Sequence, residues 1–285
     1  MIVYLNGAFV PEEQAVVSVF DRSFLLGDGL YETFQARNAR LFRWEQHWKR
    51  FTFGADFLEI KIPETEAALR KATEELIARN QLPHCMVRMT LSRGVGVRGY
   101  STRGADKPSL VISCHPPPVV DPQKPLQWRL IIASPRLPAN DPLSRFKSCS
   151  KLPQILARME ADRAGANEAL LLNTEGFVVE ATGSNLFWIA DDTICTPALT
   201  AGILPGVTRE AVFEICGSLG LTCREANITP TELRGAQGIF LSLSSFGIAE
   251  CVALDGHMLR QAPQVKAIRD AYEELFRKET ASSPS

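Results

Sequence analysis

Long apolar runs are missing from this chain. No stretch of about eighteen uncharged apolar residues occurs, so no helix is expected to span a bilayer. An excess of one charge is missing too. Lys and Arg total 31 against 32 Asp and Glu, a net charge of −1, which leaves no electrostatic footprint for nucleic acid or an anionic membrane. Cysteine pairs are the third absence. Seven cysteines, at 85, 114, 149, 195, 216, 223 and 251, stand singly, with no CxxC spacing and no Cys/His cluster of the zinc type. Scattered thiols in odd number suit a reducing compartment. The opening MIVYLNGAFVPEE has no basic segment followed by an apolar run, so no signal peptide is expected. A cytoplasmic, water-soluble protein acting on small molecules is the class that remains.

What is present suffices for real cores. The chain has 285 residues, 45% of them hydrophobic, enough for one large domain or two modest ones. Ile2–Leu5, Asn6-Gly7 and Ala8–Val10 read as a hairpin with a type I′ turn. Apolar spacing predicts helices over Leu41–Phe57 and Thr65–Asn80, and strands over Cys85–Ser92 and Leu110–Cys114. HPPPVVDPQK (115–124) holds four prolines in ten residues and reads as a semi-rigid linker. The expected domains are therefore 1–116 and 128–285, with a linker at 117–127. Beyond it, strands are predicted over Trp128–Ala133, Ala169–Asn173, Val178–Glu180, Leu186–Ile189, Gly238–Ser242 and Cys251–Leu254. Helices are predicted over Leu152–Ala164, Thr208–Leu219 and Val265–Lys278, and the tail ETASSPS is expected to be disordered. No internal repeat is visible.

Three segments could carry chemistry. Gly202-Ile-Leu-Pro-Gly-Val-Thr-Arg209 runs into a helix, with Thr208 at its cap or first turn and Gly206 open to close backbone approach. A helix start of this kind binds anions, phosphate above all, or is simply a capped helix. Lys147, in SRFKSCS, sits beside an apolar residue, where a desolvated amine would be nucleophilic. It could equally be a solvated loop lysine. Glu180 follows Val178-Val179 and opens EATGSNLF; it either meets a cationic ligand group or ends a strand.

Taken in order, Lys147, then Glu180 in EATGSNLF, then ILPGVTR resembles the class IV aminotransferases, of pyridoxal-phosphate (PLP) fold type IV. That group holds branched-chain and D-amino acid aminotransferases and aminodeoxychorismate lyase. FDRS (20–23), LGDGLYET (26–33), HWKR (47–50) and LARMEADRAGANEALLLN after the lysine extend the likeness over nearly the whole chain. The resemblance implies an α/β (α+β) fold, with an N-terminal two-layer domain, a C-terminal barrel-like domain and the cofactor between them. It implies Lys147 as the Schiff-base lysine that also shuttles the substrate proton, and Glu180 as partner of the pyridine nitrogen. It implies Arg50, the amides of Val207 and Thr208 with the Thr208 hydroxyl, and Ser244 as phosphate ligands, and Leu204 against the ring. A homodimer is implied as well. One departure stands out: many relatives carry asparagine three residues after the lysine, where this chain has Ser150, a shorter hydrogen-bonding group.

The reaction is read from SRGVGVRGYS (92–101). This run resembles the lyase branch, with Arg88 where lyases often carry Lys or Arg. The D-amino acid enzymes place Arg-x-His here, and Arg98-Gly99-Tyr100 makes that carboxylate trap incomplete. Branched-chain enzymes usually carry Tyr-x-Arg, whereas Met86 precedes Arg88. Arg88 and Arg98 would suit the carboxylates of aminodeoxychorismate, and Tyr31 and Ser245 complete the expected substrate pocket. The reading therefore favours aminodeoxychorismate lyase, giving 4-aminobenzoate and pyruvate in folate biosynthesis. Amino-acid transamination is the alternative, and a non-catalytic PLP-binding protein the third.

Overall fold

The computed structural model describes residues 1–119, 121 and 124–281. Part of the expected linker and the last four residues of the tail lie outside them. The chain forms two compact units. The first is Met1–Pro117 with Phe146–Ser150 and Phe276–Ser285; the second is Pro118–Arg145 with Lys151–Leu275.

The first unit is one antiparallel sheet with helices on one face. Its strands are β1 (Ile2–Leu5), β2 (Ala8–Pro11), β3 (Gly29–Arg37), β4 (Arg40–Leu41), β5 (Cys85–Ser92) and β6 (Ser109–His115), in spatial order β2-β1-β6-β5-β3-β4. Its helices are α1 (Arg22–Leu26), α2 (Trp44–Phe57) and α3 (Glu66–Arg79). The hairpin forms at Asn6-Gly7, whose φ values of 49° and 90° are those of a type I′ turn, pairing Leu5 with Ala8. Thr65 caps α3 through its side chain, on Ala68 N, and Asn80 ends it, as the sequence predicts. The helix expected from Leu41 starts later: Arg40–Leu41 pairs with β3, and Arg43 adopts a left-handed φ of 54° before the helix begins. Alternation then sorts the sheet faces. Leu30, Phe34, Ala36, Val87, Met89, Leu91, Leu110 and Ile112 pack beneath α2 and α3 with Trp44, Phe51, Leu69 and Leu76. Tyr31, Thr33, Arg88 and Thr90 occupy the opposite, less buried face.

The second unit is a barrel. Its strands are β7 (Gln127–Leu137), β8 (Glu168–Asn173), β9 (Val178–Ala181), β10 (Asn185–Ala190), β11 (Thr193–Thr196), β12 (Cys223–Glu225), β13 (Gly238–Leu243), β14 (Gly247–Leu254) and β15 (His257–Met258). The sheet order is β12-β11-β10-β13-β14-β7-β8-β9, and β9 also pairs with β10, so six strands close on themselves. Leu130, Leu170, Leu172, Val178, Leu186, Ile239, Leu241, Cys251 and Leu254 form one buried cluster drawn from all six. The helices are α4 (Leu152–Arg163), α5 (Val207–Ser218), α6 (Pro230–Arg234) and α7 (Pro263–Glu279), the last turn of α7 belonging to the first unit. Small residues let α4 lie flat on the outer wall: Ala157 and Ala161 pack against Ala133, Ala169 and Leu171. Among the described residues no helix is long and apolar enough to cross a membrane.

Gly54, inside α2, faces Phe146: an added Cβ would stand 2.8 Å from Phe146 Cβ and 2.9 Å from Leu30 Cδ1. Alanine gains about 1 kcal/mol of helix propensity over glycine, while overpacking a full core costs about 1–3 kcal/mol. With Phe146 fully buried, the steric cost is the larger of the two. Gly54→Ala is expected to lower the thermal midpoint, as scanning calorimetry will register; an unchanged or raised midpoint means that Phe146 can move aside.

Candidate active site

In the first unit the site is assembled on the start of β3. The segment around Lys147 pairs with it in antiparallel fashion: Tyr31 N donates to Lys147 O (2.8 Å), Cys149 N donates to Gly29 O (2.8 Å), and Leu30 bridges Ser148. Fully buried Phe146 anchors the segment against Phe57, with ring centroids 5.4 Å apart. The half-buried lysine thus starts from a fixed backbone, and its Nζ lies 5.4 Å from the Tyr31 ring centroid. The Arg88 guanidinium covers the same ring at 3.8 Å. Burial pushes the Tyr31 phenol above its ordinary range, so it stays protonated near neutrality. Tyr31, Arg88 and Lys147 are therefore brought together. Arg98 is not: it is exposed on the loop after β5, and Tyr100 is 88% exposed. Ser150 rests beside Gly27, where an added Cβ would stand 2.5 Å from the Ser150 hydroxyl oxygen, and the φ of 71° disfavours a side chain on its own account.

The covered face of the same strand holds a buried charge cluster. Glu32 lies in the inward row with Leu30, Phe34 and Ala36, so its carboxylate needs partners. It receives Arg50 Nε at Oε1 and Arg50 Nη2 at Oε2, both at 2.7 Å, and His47 Nδ1 stands 2.7 Å from Oε2. Burial alone would raise the carboxyl pKa, but the Arg50 charge and the hydrogen bonds from Arg50 and His47 outweigh it and hold it at about 2. His47 is pushed below its usual value, first by burial, against the pull of Glu32. Arg50 is thus oriented by a carboxylate, Glu32, that the family pattern does not single out. The signal was present: an acidic residue in an inward apolar alternation calls for a cation.

In the second unit the remaining residues gather where β9 meets β10. Glu180 and Asn185 are the closing pair of the barrel. Leu204 N donates to Glu180 Oε2 (2.9 Å), and Asn185 Nδ2 donates to Leu204 O (2.8 Å), so one residue of the turn is clamped at both backbone groups. Gly206 lies against Asn185, and a Cβ there would overlap the Asn185 side-chain oxygen. Gly206, not Thr208, is the N-cap of α5, so Val207 and Thr208 are its first two residues. No side chain caps this twelve-residue helix, and both Val207 and Thr208 are buried. Ser242 pairs with Asn185 across β10 and β13 and so shares its face; its hydroxyl is buried with no partner among the described residues. Ser244 and Ser245 follow half-buried at the end of β13. Asn185 and Ser242 went unassigned in the sequence reading, although period-two alternation already sets Asn185 opposite the core-facing Leu186. An uncapped helix start, an orphaned hydroxyl and a carboxylate beside them fit a ligand with a phosphate and a basic ring nitrogen.

Comparison with known proteins agrees with this chemistry. The amino-transferase class IV family matches residues 29–254. A Methanocaldococcus jannaschii protein assigned provisionally as a branched-chain-amino-acid aminotransferase is 32% identical over 97% of this chain and 96% of its own. The aminodeoxychorismate lyase of Vibrio harveyi is 30% identical over 83% of this chain and 86% of its own. The crystal structure of the Thermoproteus uzoniensis branched-chain aminotransferase superposes with a TM-score of 0.91 at 30% identity, covering 99% of this chain and 96% of that one. The chain belongs to the class IV amino-transferase family, and it is a PLP-dependent enzyme of that family.

Removing the Glu32 carboxylate takes from buried Arg50 the negative charge paired with it, a loss of about 3–5 kcal/mol for pairs of this kind. Glu32→Gln is therefore expected to lower stability at neutral pH. It should also flatten the acid limb. The folded-state pKa of about 2 lies below the unfolded value of 4.5, so the wild type keeps this contribution above the unfolded value and loses it as pH falls toward the folded one. The depressed His47 adds a loss of the same sign below its unfolded value of 6.5. Urea unfolding of both proteins across this range checks the difference in slope; parallel curves would remove Glu32 as the source.

Proposed function

We propose that this enzyme is an amino-acid transaminase that passes an amino group to a 2-oxo acid. The observation that carries the reading is the Tyr31 platform, which holds the Arg88 cation at 3.8 Å and the Lys147 amine at 5.4 Å from one ring. A carboxylate held by Arg88 then lies close to the carbon whose proton Lys147 moves, as in an α-amino acid. The bound cofactor supplies an electron sink for the charge left on that carbon. Glu180 keeps the ring nitrogen protonated and Leu204 packs on the ring. Thr208, Ser244 and the amides of Val207 and Thr208 would hold the phosphate, with buried Arg50, oriented by Glu32, adding positive charge behind it. Ser245 is assigned to the substrate by the family likeness, and Arg98, exposed on the loop after β5, to a second carboxylate of a substrate long enough to reach it. Full-length likeness to proteins named as branched-chain aminotransferases supports the same choice.

Aminodeoxychorismate lyase is the second reading. Its support is a second cation, exposed Arg98, together with the Vibrio harveyi relative; a place in folate biosynthesis goes with it. We further propose a cytoplasmic homodimer. Exposed Val16, Val17, Val19, Phe20, Phe24 and Leu25, close together in sequence, support the dimer, and seven cysteines outside any disulfide suit the compartment. The proposed domains are 1–116 and 128–285, joined by the proline-rich stretch, with Phe146–Ser150 and the segment from Phe276 lent by the second to the first compact unit.

Separate assays decide the reaction. L-leucine or D-alanine with 2-oxoglutarate is expected to yield glutamate, and Lys147→Ala is expected to lower kcat at least about a thousandfold without unfolding the protein. Release of 4-aminobenzoate from aminodeoxychorismate, with no glutamate formed from either amino acid, overturns the transaminase reading in favour of the lyase.

Asn185→Ala frees the carbonyl end of Leu204. One hydrogen bond of this kind is worth about 1 kcal/mol, so a rise of roughly fivefold in the PLP dissociation constant is expected, measured by fluorescence titration. Unchanged affinity would mean that the turn holds its shape without the clamp.

A further inference from the structure

Beyond β5 the chain makes a loop, Gly94–Lys107, whose shape its own sequence does not impose. Gly94, Gly99 and Gly104 have φ values of 83°, 102° and 74°, and Gly96 adds a fourth glycine, so the free segment has many conformations to lose. One buried side chain gathers it. Arg22, on α1 and 4% exposed, donates Nη1 to Gly99 O (3.0 Å) and Ser101 O (3.1 Å) and Nη2 to Tyr100 O (3.3 Å). Its Nε pairs with Asp28 Oδ2 at 2.7 Å, an oxygen that also receives Arg93 Nε at 2.8 Å. Arg93 is fixed in turn, donating to Leu58 O (2.6 Å) and Glu59 O (3.2 Å) at the end of α2. Arg22 N also donates to Gly94 O (2.9 Å) at the root of the loop. Three successive carbonyls are drawn inward onto one guanidinium, while the side chains of Arg98 and Tyr100 stand in solvent.

We propose that Arg22 is the positioning residue of a substrate-recognition loop: its grip on the carbonyls of 99–101 sets where Arg98 stands, and so how strongly a second substrate carboxylate is recognised. The inference rests on the reading of Arg98 as a substrate cation. Arg22 touches neither substrate nor reacting atoms; it acts through the loop. A lysine at this position keeps one positive charge for Asp28 but lacks the planar fork that serves a carboxylate and three carbonyls together.

The test compares 2-oxoglutarate with pyruvate as amino acceptor in the PLP-loaded enzyme. Arg22→Lys is expected to raise KM for 2-oxoglutarate about tenfold, equivalent to about 1.4 kcal/mol, with kcat within about twofold and KM for pyruvate little changed. Arg98→Gln should give the same split. Gly96→Ala is the second variant, because its Cβ would press on Ala105 Cβ at 2.8 Å and Arg22 Cδ at 3.0 Å while leaving every charge in place. It should move KM in the same direction by a smaller factor, and it decides the matter if Arg22→Lys does not fold. Amide hydrogen exchange reads the grip without turnover: residues 98–102 should exchange faster in Arg22→Lys, with β5 and β6 still protected. If Arg98→Gln shows the split while Arg22→Lys and Gly96→Ala do not, Arg22 is merely structural and Arg98 keeps its role. If Arg98→Gln leaves KM unchanged, the reading of Arg98 falls and this proposal with it. Unaltered exchange in the loop of Arg22→Lys overturns the proposal by itself.

Discussion

Closure of the barrel between β9 and β10 is the constraint on which the second unit depends. The pair that closes it, Glu180 with Asn185, contributes about 1 kcal/mol per backbone hydrogen bond. The interior that closure seals includes Leu130, Leu170, Leu186, Leu241 and Leu254, all at most 1% exposed. Burying five such side chains is worth on the order of 10 kcal/mol. The ring is therefore shut by apolar burial, and the polar pair at the seam is left to do something else. It clamps both backbone groups of Leu204 and through them fixes the start of α5. Core stability and the geometry of the turn before α5 are in this way tied to the same seam.

The first unit divides its chemistry by sheet face. Beneath the helices, Glu32, His47 and Arg50 satisfy one another in a dry environment where an unpaired charge would be intolerable. On the other face, Tyr31, Arg88 and Lys147 stand where a ligand can reach them. One nine-residue strand, β3, serves both through its alternation, since Tyr31 and Glu32 are neighbours in sequence and back to back in space.

Local features were legible in the sequence. Asn6-Gly7 marked its hairpin because few residue pairs accept two positive φ values. Thr65 and Asn80 marked the ends of α3 by capping chemistry, and the apolar rows of β5, β8 and β13 announced themselves. The family pattern led to Lys147, Glu180 and the turn before α5. What stayed hidden depends on pairing across long chain separations. Nothing near Lys147 tells that its segment will lie along Gly29–Tyr31, more than a hundred residues earlier. Nothing near Asn185 tells that it will reach Leu204. The Arg22 grip was invisible for the same reason, because its acceptors are carbonyls, which every residue carries. Thr208, read as the cap or first turn of α5, lies in that first turn, and the cap itself is a glycine, which leaves no side-chain mark of its own.

The placement of Phe146–Ser150 bears on how the polypeptide can be cut. These five residues belong to the first unit although the chain on either side belongs to the second. A fragment ending at the proline-rich stretch would thus lack its only lysine of interest. It would also bare the Gly29–Tyr31 stretch of β3, whose amides and carbonyls now pair with 147–149. Exposed strand edges recruit other edges. The two halves of this enzyme are consequently interleaved along the gene, and a recombination point within the proline-rich stretch would separate Lys147 from the strand that holds it.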